Sequence, residues 1–153
     1  MARIEDIPEP TRGVVLGLEM MAFDSTPFVT GGPLAKRRVA MVSSAALVRR
    51  GEAPFLPGTA EVRTLAASLP AADLLMSHVS INFDRAAWQS DINTVYPIDR
   101  LRALAACGVI GSVADTHYSV MGSTDPRTMA DTAAGIAAQM QAEGVDAALL
   151  LPV

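Results

Sequence analysis

Residues 125–151 read DPRTMADTAAGIAAQMQAEGVDAALLL, and this stretch decides the fold class. Asp followed by Pro is a typical helix start, because the Asp side chain caps free N–H groups and Pro fits the first helical position. Apolar residues then recur at helical spacing from Met129 to Met140, and Gly144 is a typical helix end. The apolar run that follows predicts a buried strand over residues 146–151.

The same alternation of helix and strand occurs upstream of this stretch. Pro97 opens a segment with one apolar face that ends at Gly108, and the short apolar run 109–113 follows it. Further upstream, residues 38–44 (RVAMVSS) form a continuous apolar run, which is typical of a strand buried on both faces of a parallel sheet. This order predicts an α/β fold with a mostly parallel sheet and flanking helices, in a Rossmann-like three-layer arrangement.

Shorter sequence patterns predict the secondary structure of the segments between these elements. Residues 61–65 alternate like an edge strand, and residues 71–77 form a further short apolar run that ends at a histidine. Residues 45–57 are predicted as a turn or helix followed by a Pro-rich loop, and residues 114–125 as a polar loop.

Two regions are expected along the chain. Residues 1–37 are predicted to be an N-terminal arm and connecting segment, because Pro8 and Pro10 disfavour regular structure at the start. Within this region, the apolar residues 13–23 are expected to form a short helix or strand that packs on the body. Residues 38–153 are predicted to form the α/β domain.

Composition restricts the class of protein. Half of the 153 residues are hydrophobic and 18% are charged, which is typical of a globular domain and not of a disordered chain. A net charge of −4 provides no basic surface for nucleic acid, and one cysteine cannot form an internal disulfide. No apolar run is long enough to span a bilayer, and the N-terminus lacks the signal-peptide pattern. We therefore expect a cytoplasmic protein that binds neither nucleic acid nor membrane.

Polar residues concentrate between residues 78 and 122. Both histidines, His78 and His117, follow apolar strands and are predicted to enter polar loops. This position places them at the carboxyl edge of the sheet, where open α/β proteins bind ligands. The candidate catalytic residues are the two histidines and two nearby acids, Asp84 and Asp91. Candidate substrate contacts at the same edge and in the same loops are Ser43, Ser44, Asn93, Tyr118, Met121 and Gly122.

The residues alone leave several functions open. The spacing from His78 to His117 is long, and neither H-x-H nor H-E-x-x-H occurs, so no metal site is predicted. The two histidines fit an α/β binding or interaction domain in which they are structural. They also fit a small hydrolase or isomerase that uses both of them directly.

Several stretches together resemble the selenoprotein B family of the glycine, sarcosine, betaine and D-proline reductases. They are RVAMVSSAALVRRGEAPF, Ser-His at 77–78 followed by Phe-Asp at 83–84, DINTVYPIDRLRALAACGVIGSV, HYSVMG and EGVDAALLLPV. The resemblance runs from about residue 38 to residue 153, and residues 91–122 are its most specific part. In size and position the chain resembles the smaller subunit of D-proline reductases more than the longer glycine reductase component.

This resemblance implies reductive cleavage of a carbon–nitrogen bond in an amino acid or amine. A selenol or thiol displaces the nitrogen at the α-carbon, after a carbonyl group on a separate subunit (pyruvoyl in D-proline reductase) has activated the amine. A thioredoxin-like partner then reduces the mixed selenide–sulfide. Other reductase subunits and this reductant are thus the implied partners, and the chain itself is expected to hold no cofactor.

The resemblance also implies a selenocysteine or cysteine directly after the closing Pro-Val. Because the chain stops at Val153, we expect a form that is truncated before the redox residue, incomplete at the C-terminus and inactive alone. A selenocysteine codon read as a stop would explain this, with a cloned fragment as the alternative, and the codon after Val153 distinguishes them. An apolar last strand without following elements is further expected to be covered in a homo-oligomer.

The implied chemistry needs an acid for the leaving amine. By position, His78 and His117 are the candidates for this acid or for orienting the substrate, with the two acids as their partners. The sequence departs from the family pattern at Asp115 and Thr116, where a Pro-Arg type pair is common. This departure removes a cation that could bind an anionic substrate.

Overall fold

The computed structural model describes residues 3–19, 22, 26, 28–80 and 85–153. Its strands are β1 Arg38–Ser43, β2 Leu47–Arg49, β3 Val62–Ala66, β4 Leu74–Met76, β5 Ser112–Val113, β6 Thr116–Val120 and β7 Ala147–Leu151. Its α-helices are α1 Thr11–Leu16, α2 Ala86–Ser90, α3 Ile98–Ala106 and α4 Ala130–Ala142. Short 3₁₀ turns occur at Ile4–Asp6, Leu34–Lys36, Ala71–Asp73, Ile92–Thr94 and Pro126–Thr128.

Strand β1 is the centre of the main sheet. Strand β7 pairs with it in parallel along its whole length, from Val39 opposite Ala147 to Ser43 opposite Leu151. Strand β5 pairs in parallel with the start of β1, and β6 pairs in parallel with its end. Strand β3 lies antiparallel to β6 at the other side of the sheet. The prediction of a mostly parallel sheet is therefore confirmed.

A bulge separates β5 from β6. Val113 lies opposite Val39 and Tyr118 opposite Val42, so five steps along one strand match three steps along β1. Glu143, at the end of α4, stabilises the bulge because its Oε1 accepts the N–H groups of Asp115 at 2.5 Å and Thr116 at 3.3 Å. The two extra residues interrupt the regular hydrogen-bond ladder beside the middle of β1.

Helices cover both faces of the sheet. Successive side chains of β1 point to opposite faces, so its continuous apolar run places residues to be buried on each of them. The region around α3 covers one face, and α4 packs on the other. Buried residues on the α3 side include Val39, Met41, Leu65, Tyr96, Ile98 and Leu101, and those on the α4 side include Ala40, Tyr118, Ile136 and Met140. A mixed α/β fold with flanking helices is thus confirmed, while the finer Rossmann-like classification stays a prediction.

Local signals located α3 and the end of α4 correctly, whereas the predicted helix start at Asp125-Pro126 opens a 3₁₀ turn and α4 itself begins at Ala130. Asp125 caps the turn before α4, where its Oδ1 accepts the N–H of Arg127 at 2.9 Å. Gly108 and Gly144 follow α3 and α4 with φ of 71° and 73°, a conformation that glycine adopts without strain. These starts and ends depend on neighbouring residues only, so the sequence was sufficient to place them.

The prediction of a turn or helix at the start of residues 45–57 is wrong. Strand β2 lies there and pairs antiparallel with β4 to form a second, two-stranded sheet. The N–H of Leu47 donates to the buried Ser119 Oγ at 2.6 Å, which connects this small sheet to β6. Three residues are too few for a periodic pattern, so only the tertiary pairing reveals the strand.

The prediction of a polar loop over residues 114–125 is also wrong at its centre, where β6 lies. His117 and Ser119 look like loop residues, but both are fully buried and hydrogen-bonded inside the protein. The hydrogen bonds at His117 Nδ1 and Ser119 Oγ lower the cost of burying these side chains in a strand, although His117 Nε2 has no partner among the described residues.

The apolar N-terminal stretch forms α1, but the prediction that it packs on the body is wrong for the residues described. Val14 and Leu16 are 65% and 67% exposed, and α1 contains no buried residue. Residues 20, 21 and 23 of the stretch lie outside the described residues. The boundary between arm and domain at residue 38 stays a prediction.

Strand β7 is confirmed, but it is not buried. Leu149 and Leu150 are 37% and 62% exposed, because among the described residues β7 pairs with β1 alone and its face is only partly covered.

None of the helices in the described ranges is both long and apolar enough to cross a membrane.

Candidate functional site

Ser44 lies where the carboxyl ends of β1, β6 and β7 meet, which we call the carboxyl edge. Its N–H donates to the carbonyl oxygen of Leu151 at 3.1 Å, and its Oγ accepts the N–H of Val153 at 2.8 Å. The N–H of Gly122 donates to the Ser44 carbonyl at 3.0 Å. Ser44 therefore connects the segments that leave all three strands.

Gly122 brings His78 to the same place. A Cβ at position 122 would lie 2.7 Å from the Ser44 carbonyl oxygen and 3.0 Å from His78 Nε2. The first distance is too short for a real Cβ and the second is unusually tight, so glycine permits the close approach of these three residues. His78 follows β4 of the small sheet, and the prediction that it lies at a strand end is confirmed.

Hydrogen bonds hold the His78 imidazole in one orientation. The ring is buried, its Nδ1 accepts the Ser80 N–H at 3.1 Å, and Arg85 donates to the His78 carbonyl at 2.8 Å. A neutral ring with Nδ1 as acceptor carries its proton on Nε2, the atom next to Gly122. Burial, and secondly the charge of Arg85, lower the pKa of His78. His78 is therefore a neutral N–H donor near pH 7.

The carboxyl edge opens on its α4 side into an apolar recess of about 390 Å³. Among the residues that line it, Ser44 carries the only polar side chain. The apolar lining consists of Val42, Val120, Leu150, Leu151 and Pro152. Ser44 thus borders a surface suited to hydrocarbon groups, while the His78 imidazole lies buried beneath the edge.

His117 lies in the core and not at the carboxyl edge. It is fully buried in β6, and its Nδ1 accepts the N–H of Met41 at 3.0 Å. Its ring meets that of Tyr96 edge to face, with centroids 5.7 Å apart. Burial lowers the pKa of His117 to about 4, so the ring is neutral at pH 7. The prediction that both histidines lie in loops on one edge is therefore wrong.

The bulge explains this position of His117. The two extra residues between β5 and β6 interrupt the ladder beside Met41, whose N–H then needs another acceptor. The imidazole Nδ1 is that acceptor. No local pattern indicated this role, because the pairing of His117 with a residue 76 positions away depends on the sheet register.

Three predicted substrate contacts are core residues in this structure. Ser43 is fully buried and its Oγ donates to the Val95 carbonyl at 2.8 Å, which ties β1 to the turn before α3. Tyr118 packs against α4, and Met121 packs with a small apolar cluster beside β2. Only Ser44 and Gly122 of the predicted contacts lie with His78.

Asp91 and Asn93 form a capping network at the start of α3. Asp91 Oδ1 accepts the backbone and side-chain N–H groups of Asn93 at 2.9 and 2.8 Å, and Asn93 Oδ1 accepts the Asp99 N–H at 3.1 Å. The side-chain and then the backbone bond from Asn93 lower the pKa of Asp91. Neither residue is hydrogen-bonded to a histidine. Asp84, the fourth catalytic candidate, lies outside the described residues.

The positions that depart from the family pattern lie away from the carboxyl edge. Asp115 accepts a 2.7 Å hydrogen bond from Arg38, at the opposite end of β1 from Ser44.

No group of three or more His, Cys, Asp or Glu side chains in the described ranges is arranged to hold a metal ion. Ser80 and Arg85, which fix His78, were missed because nothing in the sequence distinguishes them from other loop residues.

Comparison with known proteins points to one family. A family model described as glycine/sarcosine/betaine reductase selenoprotein B matches residues 18–152. D-proline reductase subunit gamma of Acetoanaerobium sticklandii is 31% identical over 145 residues, which are 90% of this chain and 59% of that protein. Glycine reductase complex component B subunit gamma of Carboxydothermus hydrogenoformans is 30% identical over 139 residues, 87% of this chain and 32% of that protein.

The chain therefore spans 59% and 32% of the length of these two curated relatives. No solved structure matches it significantly. The family match covers all seven strands and the carboxyl edge, and it agrees with the resemblance seen in the sequence. On this evidence the chain belongs to the glycine/sarcosine/betaine reductase selenoprotein B family.

Proposed function

We propose that this chain is a subunit of a reductase complex that cleaves a carbon–nitrogen bond of an amino acid or amine. The α-carbon–nitrogen bond breaks, and two electrons and two protons from a dithiol reductant yield a C–H and an N–H bond. The convergence of Ser44, His78 and Gly122 at the carboxyl edge supports this proposal most directly. It is the polar site that a family member would present at the ligand edge of its sheet.

The partners and groups in this proposal come from the family. A carbonyl group on another subunit would activate the amine, and a thioredoxin-like protein would supply the electrons. The family pattern puts a selenocysteine or cysteine directly after the Pro-Val that follows β7, and the selenol or thiol would be the nucleophile. That residue would emerge beside Ser44, because Ser44 Oγ holds the N–H of Val153.

Within the chain, we assign separate roles to the two polar residues that meet at the edge. His78 would position Gly122 and Ser44 from beneath the edge, because its Nε2 is buried against Gly122. Its lowered pKa leaves little imidazolium near neutral pH to serve as the acid for the leaving amine. Ser44 would fix the direction in which the residue after Val153 enters the site. We assign no substrate contact to His117, which is buried away from this edge.

The apolar recess supports a second candidate, an α/β binding domain without redox chemistry. A recess with a single hydroxyl favours binding of apolar groups over acid–base work. A hydrolase or isomerase that uses both histidines is disfavoured, because His117 is fully buried and holds the Met41 N–H.

The test is to recover the complex that this gene product forms in its own cells, through a tag on the chain. Release of amine from glycine, sarcosine or betaine, and ring opening of D-proline, are then measured with dithiothreitol as reductant. We expect one of these substrates to be cleaved and other subunits to be recovered. Absence of both associated subunits and reductive cleavage would favour the binding domain.

Substitution of His78 tests the site itself. His78→Gln keeps a hydrogen-bonding group but loses the imidazole, and we expect kcat/KM to fall at least about tenfold. Ser44→Ala should lower kcat/KM as well, because it frees the segment after β7, whereas the exposed Ser68→Ala should not. Equal rates for all three variants, with unchanged melting temperatures, would remove the carboxyl edge from the mechanism.

A further inference from the structure

A cavity of about 400 Å³ lies beside the end of β3 and the start of β6. Thr116 is the first residue of β6 and Val120 is the last, so about 13 Å of strand separates this cavity from the carboxyl edge. We call it the Arg49 cavity, because Arg49 is the only charged side chain among the described residues that line it. It is therefore a candidate site separate from the one at Ser44.

No described residue pairs with the Arg49 side chain. Every other arginine in the described ranges donates to, or forms an ion pair with, a carboxylate or carbonyl group, whereas the Arg49 side chain does neither. Glu52 accepts the Arg49 N–H at 2.9 Å but forms no ion pair with the guanidinium. A guanidinium presents its N–H donors as a planar fork that matches the two oxygens of a carboxylate. Arg49 is thus free to bind an anion in the cavity.

Thr64 adds a neutral donor beside this charge. Its side chain lines the cavity, and its hydroxyl is hydrogen-bonded to no other residue in the described part of the chain. A hydroxyl can donate one hydrogen bond to an anion while a guanidinium donates others. The cavity therefore offers a positive charge and a hydroxyl donor, and none of its lining side chains is acidic.

The loop at the rim of the cavity is held in place without a ligand. Arg102 donates to the Ala67 carbonyl at one end of the loop. Arg50 Nη2 donates to the Ala72 carbonyl at 3.0 Å at the other end. Because the loop between these points is anchored at both ends, a ligand would not have to order it, and this lowers the cost of binding.

The surroundings favour a ligand with a single negative charge. Glu52 lies beside Arg49, and Glu143 accepts the Thr116 N–H at 3.3 Å while it also accepts a hydrogen bond from Arg38. These carboxylates repel a phosphate dianion more strongly than a carboxylate monoanion, because the repulsion scales with the charge of the ligand. A carboxylate also matches the single positive charge of the cavity.

The remaining lining determines what else the ligand carries. Ala66, Leu69 and Pro70 form an apolar wall of the cavity. Such a wall suits a short hydrocarbon tail, and an ammonium group placed against it would lose water without gaining an acceptor. The ligand is therefore expected to carry its charge at one end only.

We propose that the Arg49 cavity binds a small aliphatic carboxylate that lacks an ammonium group. The carboxylate oxygens accept hydrogen bonds from the Arg49 guanidinium and the Thr64 hydroxyl. The hydrocarbon tail lies against Leu69 and Pro70. This binding does not rest on the proposed function, because the cavity is separate from the carboxyl edge.

An NMR titration of the isotope-labelled full chain tests the proposal, with caproate as the probe and ionic strength held constant. We expect saturable shifts of the Thr64 and Thr116 amides. Caproamide has the same tail but no charge, and ε-aminocaproate carries an ammonium group at the end of the tail. Both should bind at least about fivefold more weakly than caproate.

Three variants make the test specific. Arg49→Gln removes the charge and the fork and should raise the Kd for caproate at least about tenfold, whereas Arg49→Lys keeps the charge and should give an intermediate Kd. Arg100→Gln is the matched control, because it removes the same charge from a side chain that is 71% exposed on α3, and it should leave Kd unchanged. Because the Arg49 side chain has no partner among the described residues, its variants should keep the parent melting temperature.

Each contrary result overturns the proposal. Absence of saturable shifts with caproate would exclude a carboxylate site. Equal binding of caproamide would show an apolar cavity in which Arg49 has no role, and equal binding of ε-aminocaproate would contradict the position of the tail. Tighter binding of inorganic phosphate would assign the cavity to a dianion. Equal effects of Arg49→Gln and Arg100→Gln would indicate nonspecific charge attraction. None of these measurements uses catalysis, so their failure is separate from failure of the reductase activity.

Discussion

At the scale of single residues, His117 supplies from its side chain an acceptor that the backbone of β6 does not provide. Its Nδ1 accepts the Met41 N–H at 3.0 Å inside a fully buried site. Leaving a buried N–H without an acceptor costs on the order of 1–3 kcal/mol. His117 therefore has a structural role in the sheet, although its residue type and its position after an apolar strand suggested a catalytic group.

Burial of neutral His117 makes the protein less stable in acid. The pKa of His117 is about 4 in the folded protein and 6.5 when exposed. The unfolded chain therefore binds the proton first, and the free energy of unfolding falls as pH drops from about 6.5 to 4. The total loss is on the order of 3 kcal/mol, and urea unfolding at a series of pH values measures it.

The variant His117→Asn separates this effect from other titrations. Asn keeps an oxygen that can accept the Met41 N–H, but it does not titrate, so the slope between pH 6.5 and 4 should become shallower. His78→Gln serves as the comparison, because His78 also has a lowered pKa. A slope unchanged in the Asn variant would show that other groups cause the acid sensitivity.

Two glycines are expected to respond in opposite ways to alanine. Gly122→Ala places Cβ 2.7 Å from a backbone oxygen, so we expect a loss of about 1–3 kcal/mol in the free energy of unfolding and a displaced His78. Gly135 lies in α4 with open space around it, and Gly135→Ala should gain about 0.5–1 kcal/mol. Urea denaturation of both variants checks this, and a stabilising Gly122→Ala would contradict the close packing at the carboxyl edge.

At the scale of elements, the bulge between β5 and β6 depends on the end of α4. Glu143 Oε1 accepts two N–H groups from the bulge and a 2.9 Å hydrogen bond from Arg38 Nη2. Its side chain is only 20% exposed, so these charge-assisted bonds are shielded from water. The helix thus fixes the point at which the neighbouring strand changes register.

Removal of Glu143 should therefore loosen the sheet and not only the surface. We expect Glu143→Ala to lower the free energy of unfolding by about 1–3 kcal/mol and to speed hydrogen exchange near residue 115. The control is Glu61→Ala, which removes the ion pair between Glu61 and Arg63. Because the Glu61 side chain is 56% exposed, this loss should change the free energy of unfolding by less than about 1 kcal/mol. Equal effects of both variants would contradict the anchoring role.

The same scale shows why sequence patterns located some elements and missed others. The start and end of α4 follow from Asp125 and Gly144, and β1 from its continuous apolar run, because these signals are local. Strand β2 is only three residues long, and β6 contains buried His117 and Ser119. Their assignment depends on partners far away in the chain, which no local pattern contains.

At the scale of the whole molecule, the candidate site was only partly predictable. The sequence placed Ser44, Gly122 and His78 near strand ends, and the fold brings these three together at one edge. It could not show that Ser43, Tyr118 and Met121 face the core, because the facing of a side chain depends on register and on the layer that covers it. The exposure of the β7 side chains could not be predicted either, because it depends on how much of the sheet α4 covers.

The bulge beside β1 contains an even number of extra residues, and this parity has a consequence for chain length. Side chains of a strand alternate between faces, so one extra residue would turn Tyr118 and every later side chain of β6 to the opposite face. Two extra residues leave the alternation intact, and Tyr118 still faces α4 opposite Val42. We therefore expect insertions and deletions at this point to be accepted in pairs and rejected singly.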